Sequence, residues 1–464
     1  MTAVGALLDE VGLRNVPAGN VTIAGADPVL ASRFPVGEAA AVALGACGAA
    51  ASAVAGVEQP VRVEVRRAAA SLIGFALQRV EGGGPGFERL ERALVALYQC
   101  GDGRWIHLHG AFDHLAAGTC RVLGIDGRDA DDRDEVARAV ARFDAQDLED
   151  ELAAAGMCGA MVRSATEWSA HPQGALMATL PRIELSRIRD APAEPLRVGR
   201  RDPIGGVRVL DLTRVLAGPA AGRTLASHGA EVLLVNASRL PNVLPFVVDT
   251  SHGKRTTFLD LGVAEESARL RELARGADVF VNGYRRGALD RHGLGPEDLA
   301  SLRPGIVYAS VDCYGHAGPW SDRPGWEQLA QSVTGLAVEE GSAARPQLIP
   351  AAACDYTTGY LTALGVLAAL YRRAREGGSW HVRTSLVQTA MWFQRLGARC
   401  DPAAATGLGD FGDLTVATES PFGRVHHLPP VVEMPVTPPR WDLPTAPLGT
   451  HPAEWTRDDG SPTR

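Results

Sequence analysis

Two patterns of apolar and polar positions run along the chain and divide it into two parts. Between residues 205 and 390, short apolar runs such as 207–212 alternate with helical segments such as the small-residue stretch Ala217–Ser227. Strands that alternate with helices predict a mostly parallel sheet with helical crossovers, which is an α/β fold. The same pattern predicts a helix at 265–274 and further strands at 231–235, 256–261, 278–281 and 306–311.

The first part of the chain has a different pattern, typical of a smaller α+β domain. It predicts a strand at 104–109 and helices at 85–98, 132–143 and 147–155. Residues 189–201 hold two prolines and many charges, which favours a linker. We therefore expect one domain over 1–200 and a second over 201–464.

An internal repeat connects the two parts. The triplet Ala-Leu-Gly at 43–45 recurs at 363–365, each time in an alanine-rich helix that precedes a short strand. Aligning the two helices at this offset places Pro35 opposite Asp355. If Asp355 carries chemistry, the first copy has lost it. Similar alanine-rich composition is the alternative explanation.

Charge and cysteine usage narrow the class of protein. The 464 residues carry a net charge of −8, which argues against a nucleic-acid partner. The seven cysteines are scattered and form no C-x-x-C pair, so we expect a reducing, cytoplasmic compartment without disulfides or a zinc site. Asp9 and Glu10 interrupt the first apolar turn, which argues against a signal peptide. The uncharged stretch 39–57 is mostly Ala and Gly, so a buried helix is favoured over a membrane span.

Two turns could bind an anion. The loop 214–222 follows the first strand of the α/β part, and its small residues would let a ligand approach a helix N-terminus. Pro219 and the missing G-x-G-x-x-G pattern disfavour a nicotinamide dinucleotide, and tight helix–sheet packing is the alternative. In the turn 252–255, Lys254 is the one lysine among 46 basic residues, and two adjacent cations there suit a phosphate or form a solvated turn.

A basic segment and two acidic residues are the other candidates. The segment 283–293 follows a strand and contains three arginines, which suit the phosphates of a nucleotide-like ligand. Asp355 precedes an apolar helix, where it is either an N-cap or an ionised nucleophile. Glu327 is either a second carboxylate or a first-turn acid, and Trp326 beside it could wall a pocket. His107 and His109 alternate on one strand but have no metal-ligand partner at a convincing spacing, so no metal site is expected.

In family order, these segments resemble the class III CoA-transferases, which include formyl-CoA and carnitine-CoA transferases and α-methylacyl-CoA racemases. The resemblance rests on VLDLTRVLAGPAAGRTLASHGAEVLLV, GKRTTFLDL, GALDRHGLG, VYASVDCYGHAGP, RPGWEQLAQSVTGL and ACDYTTGYLTALGVLAAL. It implies a Rossmann-like, mostly parallel CoA-binding domain beside a smaller α+β domain.

The resemblance also implies roles for single residues. Asp355 matches the catalytic aspartate, and Glu327 matches an assisting glutamate. The positions implied to bind CoA, together with those whose charge or place suits it, are Val215, Leu216, Ala217, Lys254, Tyr284, Arg285, Ala288, Arg291 and Trp326.

The implied substrates are an acyl-CoA and a carboxylic acid acceptor, with coenzyme A as substrate and no permanently bound cofactor. A homodimer away from membranes is implied as well. The family's small domain resembles the first half here, so the domain order reads as permuted or fused. Racemisation of a 2-methylacyl-CoA and an inactive CoA-binding scaffold are the alternative functions.

Overall fold

A computed structural model describes residues 2–83, 92–196, 202–405 and 408–456. Its helices are α1 (Ala3–Glu10), α2 (Val36–Ala55), α3 (Val65–Ser71), α4 (Gly74–Leu77), α5 (Asp113–Leu123), α6 (Arg133–Val140), α7 (Ala145–Ala154), α8 (Ala165–Ala170), α9 (Pro172–Thr179), α10 (Ala217–Ser227), α11 (Leu244–Thr250), α12 (Ala264–Arg275), α13 (Pro296–Leu302), α14 (Glu327–Thr334), α15 (Leu336–Glu340), α16 (Ala353–Glu376) and α17 (Leu386–Leu396). Its strands are β1 (Val21–Ala24), β2 (Val61–Glu64), β3 (Arg79–Val80), β4 (Val95–Gln99), β5 (Trp105–His109), β6 (Gly159–Met161), β7 (Glu184–Arg189), β8 (Arg208–Leu212), β9 (Glu231–Asn236), β10 (Lys254–Phe258), β11 (Val279–Asn282), β12 (Val307–Asp312), β13 (Ser379–Ser385), β14 (Val416–Ser420), β15 (Gly423–His427) and β16 (Val432–Glu433).

A seven-stranded sheet forms the centre of the second half, in the order β10-β9-β8-β11-β12-β13-β7. All neighbours are parallel except β13 and β7. The chain winds outward from β8 to β10, then returns to β11 on the other side, so β8 and β11 flank a switch point. The predicted mostly parallel α/β sheet is confirmed, and ligands of such sheets bind at the carboxyl ends of the strands at this point.

The strand β7 comes from the end of the first half. It pairs antiparallel with β13, with Leu185 opposite Val382. Part of the predicted linker, at Arg189, therefore belongs to the sheet, and residues 197–201 lie outside the described part of the chain.

The internal repeat has a structural counterpart. The order α2-β2-α3 matches the order α16-β13-α17, and α2 packs against α16. In each copy the helix glycine, Gly45 or Gly365, faces a valine of the strand that follows, Val63 or Val382. Most of α2 is buried in this packing, so the uncharged stretch forms a core helix, as expected.

The starts of the two repeated helices align differently from their glycines. The N-cap residues are Pro35 and Ala352, and their φ angles are −79° and −82°. Counted from these N-caps, the residue opposite Asp355 is Glu38, instead of the proline that the glycine offset placed there. The first copy therefore has an acid at the corresponding place in its helix.

A small α+β unit has a hydrophobic core of its own. Strands β4, β5 and β6 form its sheet, and α5, α6 and α7 pack on it. The predicted helix 85–98 is wrong where it can be checked: residues 95–99 form β4, while 84–91 lie outside the described residues. Leu94, Ala96 and Tyr98 are buried alternately, and this period of two matches a strand paired with β5.

The larger core crosses the predicted boundary at residue 200. It combines side chains from α1, α2 and α3 with those of α10, α16 and the central sheet. The division into 1–200 and 201–464 thus stays a prediction about domains, whereas the hydrophobic cores group residues before 80 with the second half.

Candidate active site

Asp355 lies in the first turn of α16, at the buried start of the longest described helix. The N-cap position is Ala352, so the alternative role of Asp355 as an N-cap is wrong. Its side chain is 8% exposed, and no described residue donates a hydrogen bond to its carboxyl group. The carboxyl group is therefore free to meet a ligand at the positive end of a helix dipole.

Glu327 begins α14 and reaches the same helix end. Its Oε1 accepts hydrogen bonds from the Cys354 backbone N–H at 3.1 Å and from Gln331 Nε2 at 2.8 Å. The carboxyl group of Glu327 thus contacts the peptide directly before Asp355. The structure brings together the two acids that the sequence singled out.

Burial raises the pKa of both carboxyl groups, and the neighbouring Glu327 carboxyl adds to the effect on Asp355. Burial raises the pKa of Glu327 to about 7. Burial raises the pKa of Asp355 well above its usual range, and the Glu327 carboxyl raises it further. Since two neighbouring carboxylates in a dry site repel each other, the pair retains a proton near neutral pH. The hydrogen bonds that Glu327 accepts favour its ionised form, whereas Asp355 accepts none from the described residues.

The loop after β8 places Val215, Leu216 and Ala217 beside this helix. Ala217 begins α10, and every residue of α10 is buried. A Cβ atom added to Gly359, one turn beyond Asp355, would lie 2.6 Å from Ala217 O. The loop is therefore held against the start of α16 by direct helix–helix contact.

Val215 has a backbone φ of +70°, the one positive φ among described non-glycine residues. A β-branched residue is strained in the left-handed region. Such strain persists where the surroundings fix the backbone, and it is commonly found at ligand sites. The conformation of Val215 marks the predicted CoA loop independently of its sequence.

The loop after β11 lies next to the loop after β8. Gly283 N donates to Leu212 O at 3.2 Å across the switch point. Beyond Gly283, the side chain of Tyr284 is half-buried, while Arg285 and Arg291 are exposed. Exposed guanidinium groups at the carboxyl end of a parallel sheet are suited to bind phosphates.

Ala288 lies between the two exposed arginines in a tight turn. Its N–H donates to Arg285 O at 3.0 Å, and its carbonyl accepts from Arg291 Nε at 3.2 Å. These two bonds close the short segment between Arg285 and Arg291. The structure thus brings together the predicted positions from 284 to 291.

Lys254 is placed differently from its predicted phosphate-binding position. It begins β10 instead of preceding the strand, and its side chain points inward and is 0% exposed. Its Nζ donates to Asp211 Oδ2 at 2.8 Å and to Pro219 O at 2.7 Å. In this structure Lys254 lies beneath the loop, where a phosphate does not reach its ammonium group.

Residues of the first half complete the site, and the sequence did not reveal them. The Trp326 ring stacks on His109 with ring centroids 4.2 Å apart, and Phe112 meets it edge-on at 5.3 Å. The Arg214 guanidinium lies 5.1 Å from the centre of the Phe112 ring. The small α+β unit therefore covers both Trp326 and the loop after β8.

The sequence indicates His109 only as a candidate metal ligand. Burial lowers the pKa of His109 to about 3, so this ring is neutral and serves as an aromatic surface. Within residues 2–83, 92–196, 202–405 and 408–456, no cluster of three or more His, Cys, Asp or Glu side chains could hold a metal ion.

A model of CoA-transferase family III matches residues 17–197 and 204–412, that is, both halves of the chain. The chain belongs to this family. The resemblance that six short segments suggested is confirmed, and the match includes the first half.

Curated proteins with known names share part of this sequence. An acyl-CoA transferase of Gibberella moniliformis is 34% identical over 318 residues, which is 63% of this chain and 55% of the relative. A succinate–glutarate CoA-transferase of Agrobacterium fabrum is 33% identical over 41% of this chain and 53% of its own length. The solved structure of a hypothetical protein from Mycobacterium tuberculosis is 33% identical with a TM-score of 0.39, covering 44% of this chain and 58% of that protein. The chain thus spans about half the length of the curated relatives it matches.

Proposed function

We propose that this family III protein transfers CoA between an acyl-CoA thioester and a carboxylic acid, with Asp355 as the covalent nucleophile. The observation that carries the proposal is the Asp355 carboxyl group, which is buried without a hydrogen-bond donor among the described residues and lies beside Glu327. A structural acid at a helix start would be engaged by backbone N–H groups, whereas this one is not.

The first step forms a mixed anhydride. A carboxylate oxygen of Asp355 attacks the thioester carbonyl carbon, the C–S bond breaks, and CoA leaves as a thiolate. The thiolate then attacks the aspartyl carbonyl of the anhydride and releases the donor acid, which leaves CoA on Asp355 as a thioester. Covalent catalysis divides one slow exchange into easier steps.

The second half reverses the first with a new acid. The acceptor carboxylate attacks the aspartyl thioester and expels the CoA thiolate, which gives a second mixed anhydride. The thiolate attacks the acceptor carbonyl, which forms the new acyl-CoA and restores the Asp355 carboxylate. Free N–H groups in the first turn of α16 are suited to stabilise the oxyanions.

The two loops at the switch point would hold CoA. Val215 to Ala217 offer a backbone surface beside α16, while Arg285 and Arg291 offer exposed cations for the phosphates. Arg285 also contacts the small unit, with its Nη2 3.5 Å from Gly156 O. The small unit and Trp326 would then enclose the acyl group.

Intact-mass spectrometry after mixing with acyl-CoAs tests the proposal. Hydroxylamine trapping and peptide mapping should place an acyl-CoA-dependent adduct on Asp355. In D355A the adduct should vanish and turnover should fall at least about a thousandfold. D413A, which alters an exposed acid paired with Arg66, is the control and should behave as the unaltered protein.

Other outcomes point to other functions. Full turnover in D355A would refute Asp355 as the nucleophile. Deuterium incorporation at the α-carbon in heavy water, without an adduct, would indicate racemisation. Binding of every acyl-CoA without any chemical change would indicate a scaffold.

A further inference from the structure

A fully buried ion pair lies under the loop that joins β8 to α10. Lys254 and Asp211 are both 0% exposed, and their Nζ and Oδ2 atoms are 2.8 Å apart. Burying two charges costs free energy that the pair alone does not always recover, so such pairs do not by themselves indicate stability. The other hydrogen bonds of Lys254 and Asp211 indicate that the pair holds the loop in place.

Both members of the pair hold the loop. Lys254 Nζ also donates to Pro219 O at 2.7 Å, within the first turn of α10. The other oxygen of Asp211 accepts from Thr213 Oγ1 at 2.5 Å. Thr213 and Pro219 lie on opposite sides of Val215, so the ion pair fixes the chain before and after the strained residue.

The backbone of α10 approaches the pair closely. A Cβ atom on Gly222 would lie 2.4 Å from Asp211 Oδ2 and 2.9 Å from Lys254 Nζ. Only a residue without a side chain lets the helix come this near. The loop, the helix and the ion pair therefore form one closely packed unit, and Val215 keeps its φ of +70° because its neighbours are fixed.

We propose that Lys254 is a positioning residue that holds the loop 213–217 in the conformation that receives CoA. The proposal rests on the proposed function. Lys254 touches no ligand itself, because its ammonium group is buried beneath the loop. Loss of its bond to Pro219 should therefore weaken CoA binding and raise KM, while kcat at saturation changes little.

If the ion pair only stabilised the fold, its loss would leave CoA binding unchanged. A double variant distinguishes this role from positioning of the loop. D211N/K254M removes both charges together, which avoids a lone buried charge and commonly preserves stability. An asparagine in place of Asp211 can still accept from Thr213, but a methionine in place of Lys254 cannot donate to Pro219. The matched control is D278N/R373M, which removes a largely buried pair between the last turns of α16 and the residue before β11, with Nη1 and Oδ1 2.9 Å apart.

Three measurements on the full chain decide the question: the Kd of CoA by calorimetry, KM and kcat with an acyl-CoA, and hydrogen exchange of residues 213–222. Loss of one charge-assisted hydrogen bond should raise Kd and KM about tenfold in D211N/K254M. Exchange in 213–222 should accelerate as well. The control variant should keep the original values.

Unchanged Kd, KM and exchange in folded D211N/K254M would overturn the proposal and leave a structural pair only. Should that variant fail to fold, T213V keeps the ion pair and removes the Oγ1 bond; it should raise KM in the same direction, and an unchanged KM would overturn the proposal. If the unaltered protein binds no CoA, the proposed function fails, and the exchange rates of 213–222 still decide whether Lys254 positions the loop.

Discussion

Asp355 and Glu327 share one buried place, so the charge of each depends on the other. Asp355 must be ionised to act as the proposed nucleophile, but burial and Glu327 both raise the pKa of its carboxyl group. A raised pKa makes a carboxylate more nucleophilic once it is deprotonated, at the cost of a smaller ionised fraction at neutral pH. Activity should therefore rise with pH until Asp355 is ionised.

Replacing Glu327 tests this coupling. In E327Q the amide oxygen can still accept from Cys354 N–H, but the negative charge is gone, so the pKa of Asp355 falls. The rising limb of the plot of log kcat/KM against pH should move to lower pH. The control is E340Q, which alters another buried glutamate whose carboxyl accepts from Arg33 N–H. A limb that stays in place in E327Q would show that the two acids do not interact.

Val215 supplies a prediction about backbone strain. Glycine adopts a φ of +70° without steric cost, whereas alanine retains most of that cost. V215G should therefore be more stable than V215A by about 1 kcal/mol in the free energy of unfolding, measured by urea denaturation. Equal stability of the two variants would mean that the left-handed conformation is not strained here.

At this scale the sequence located the acids but not their surroundings. Asp355 and Glu327 stand in recognisable segments, so both were found. The inward direction of Lys254 depends on where β10 begins, and the sequence pattern predicted the strand two residues too late. The stack of Trp326 on His109 joins positions far apart in the chain, and no local pattern contains that information.

The contact between α10 and α16 sets the distance between the predicted CoA loop and the proposed nucleophile. Gly359 lets the helices meet, because a Cβ atom there would lie 2.7 Å from Ala220 Cβ and 2.6 Å from Ala217 O. The small residues at the start of α10 also allow the two helices to pack closely. The geometry of the site therefore depends on these helix faces without large side chains as well as on its two acids.

G359A should push the two helices apart. Although alanine favours a helix, the overlap with backbone atoms should lower the free energy of unfolding by about 1–3 kcal/mol and raise KM for acyl-CoA. Thermal denaturation and steady-state kinetics measure the two effects. G127A, at a glycine with no heavy atom within 4 Å of an added Cβ, should change neither. A stable G359A with unchanged KM would contradict the close packing.

Helices and strands were predictable where the apolar positions of a segment follow a single period. The alternation of strands and small-residue helices after residue 205 predicted the parallel sheet. The predicted helix 85–98 fails at β4, because the short period-two pattern of this strand follows a charged stretch. Pairing with β5, a tertiary contact, decides its conformation.

Two of the hydrophobic cores formed by the described residues lie beside the site. One joins α2 to α16 and the sheet, where Cys47 Sγ lies 3.1 Å from its acceptor Tyr360 O. The other belongs to the small unit around β5. The site lies where the two meet, since His109 reaches Trp326.

One substitution in each of the two hydrophobic cores should show whether the cores unfold independently. L44A alters a 5% exposed residue of α2 and should lower the free energy of unfolding by about 2–5 kcal/mol, with faster hydrogen exchange in α16. L148A, at a 0% exposed residue of α7, should accelerate exchange in the small unit and leave α16 protected. Equal effects of both variants on α16 would show a single cooperative core.

The repeated helices have a consequence for stoichiometry. Glu38 stands at the place in α2 that Asp355 has in α16, but its carboxyl group is already engaged. It accepts from the Asp27 backbone N–H at 3.2 Å and pairs with Arg399. Because the Glu38 carboxyl group is held by its neighbours, we expect mass spectrometry to find a single acyl-CoA-dependent adduct on each chain. On the proposed function, α2 serves as framework beside α16, and each chain carries one reactive centre.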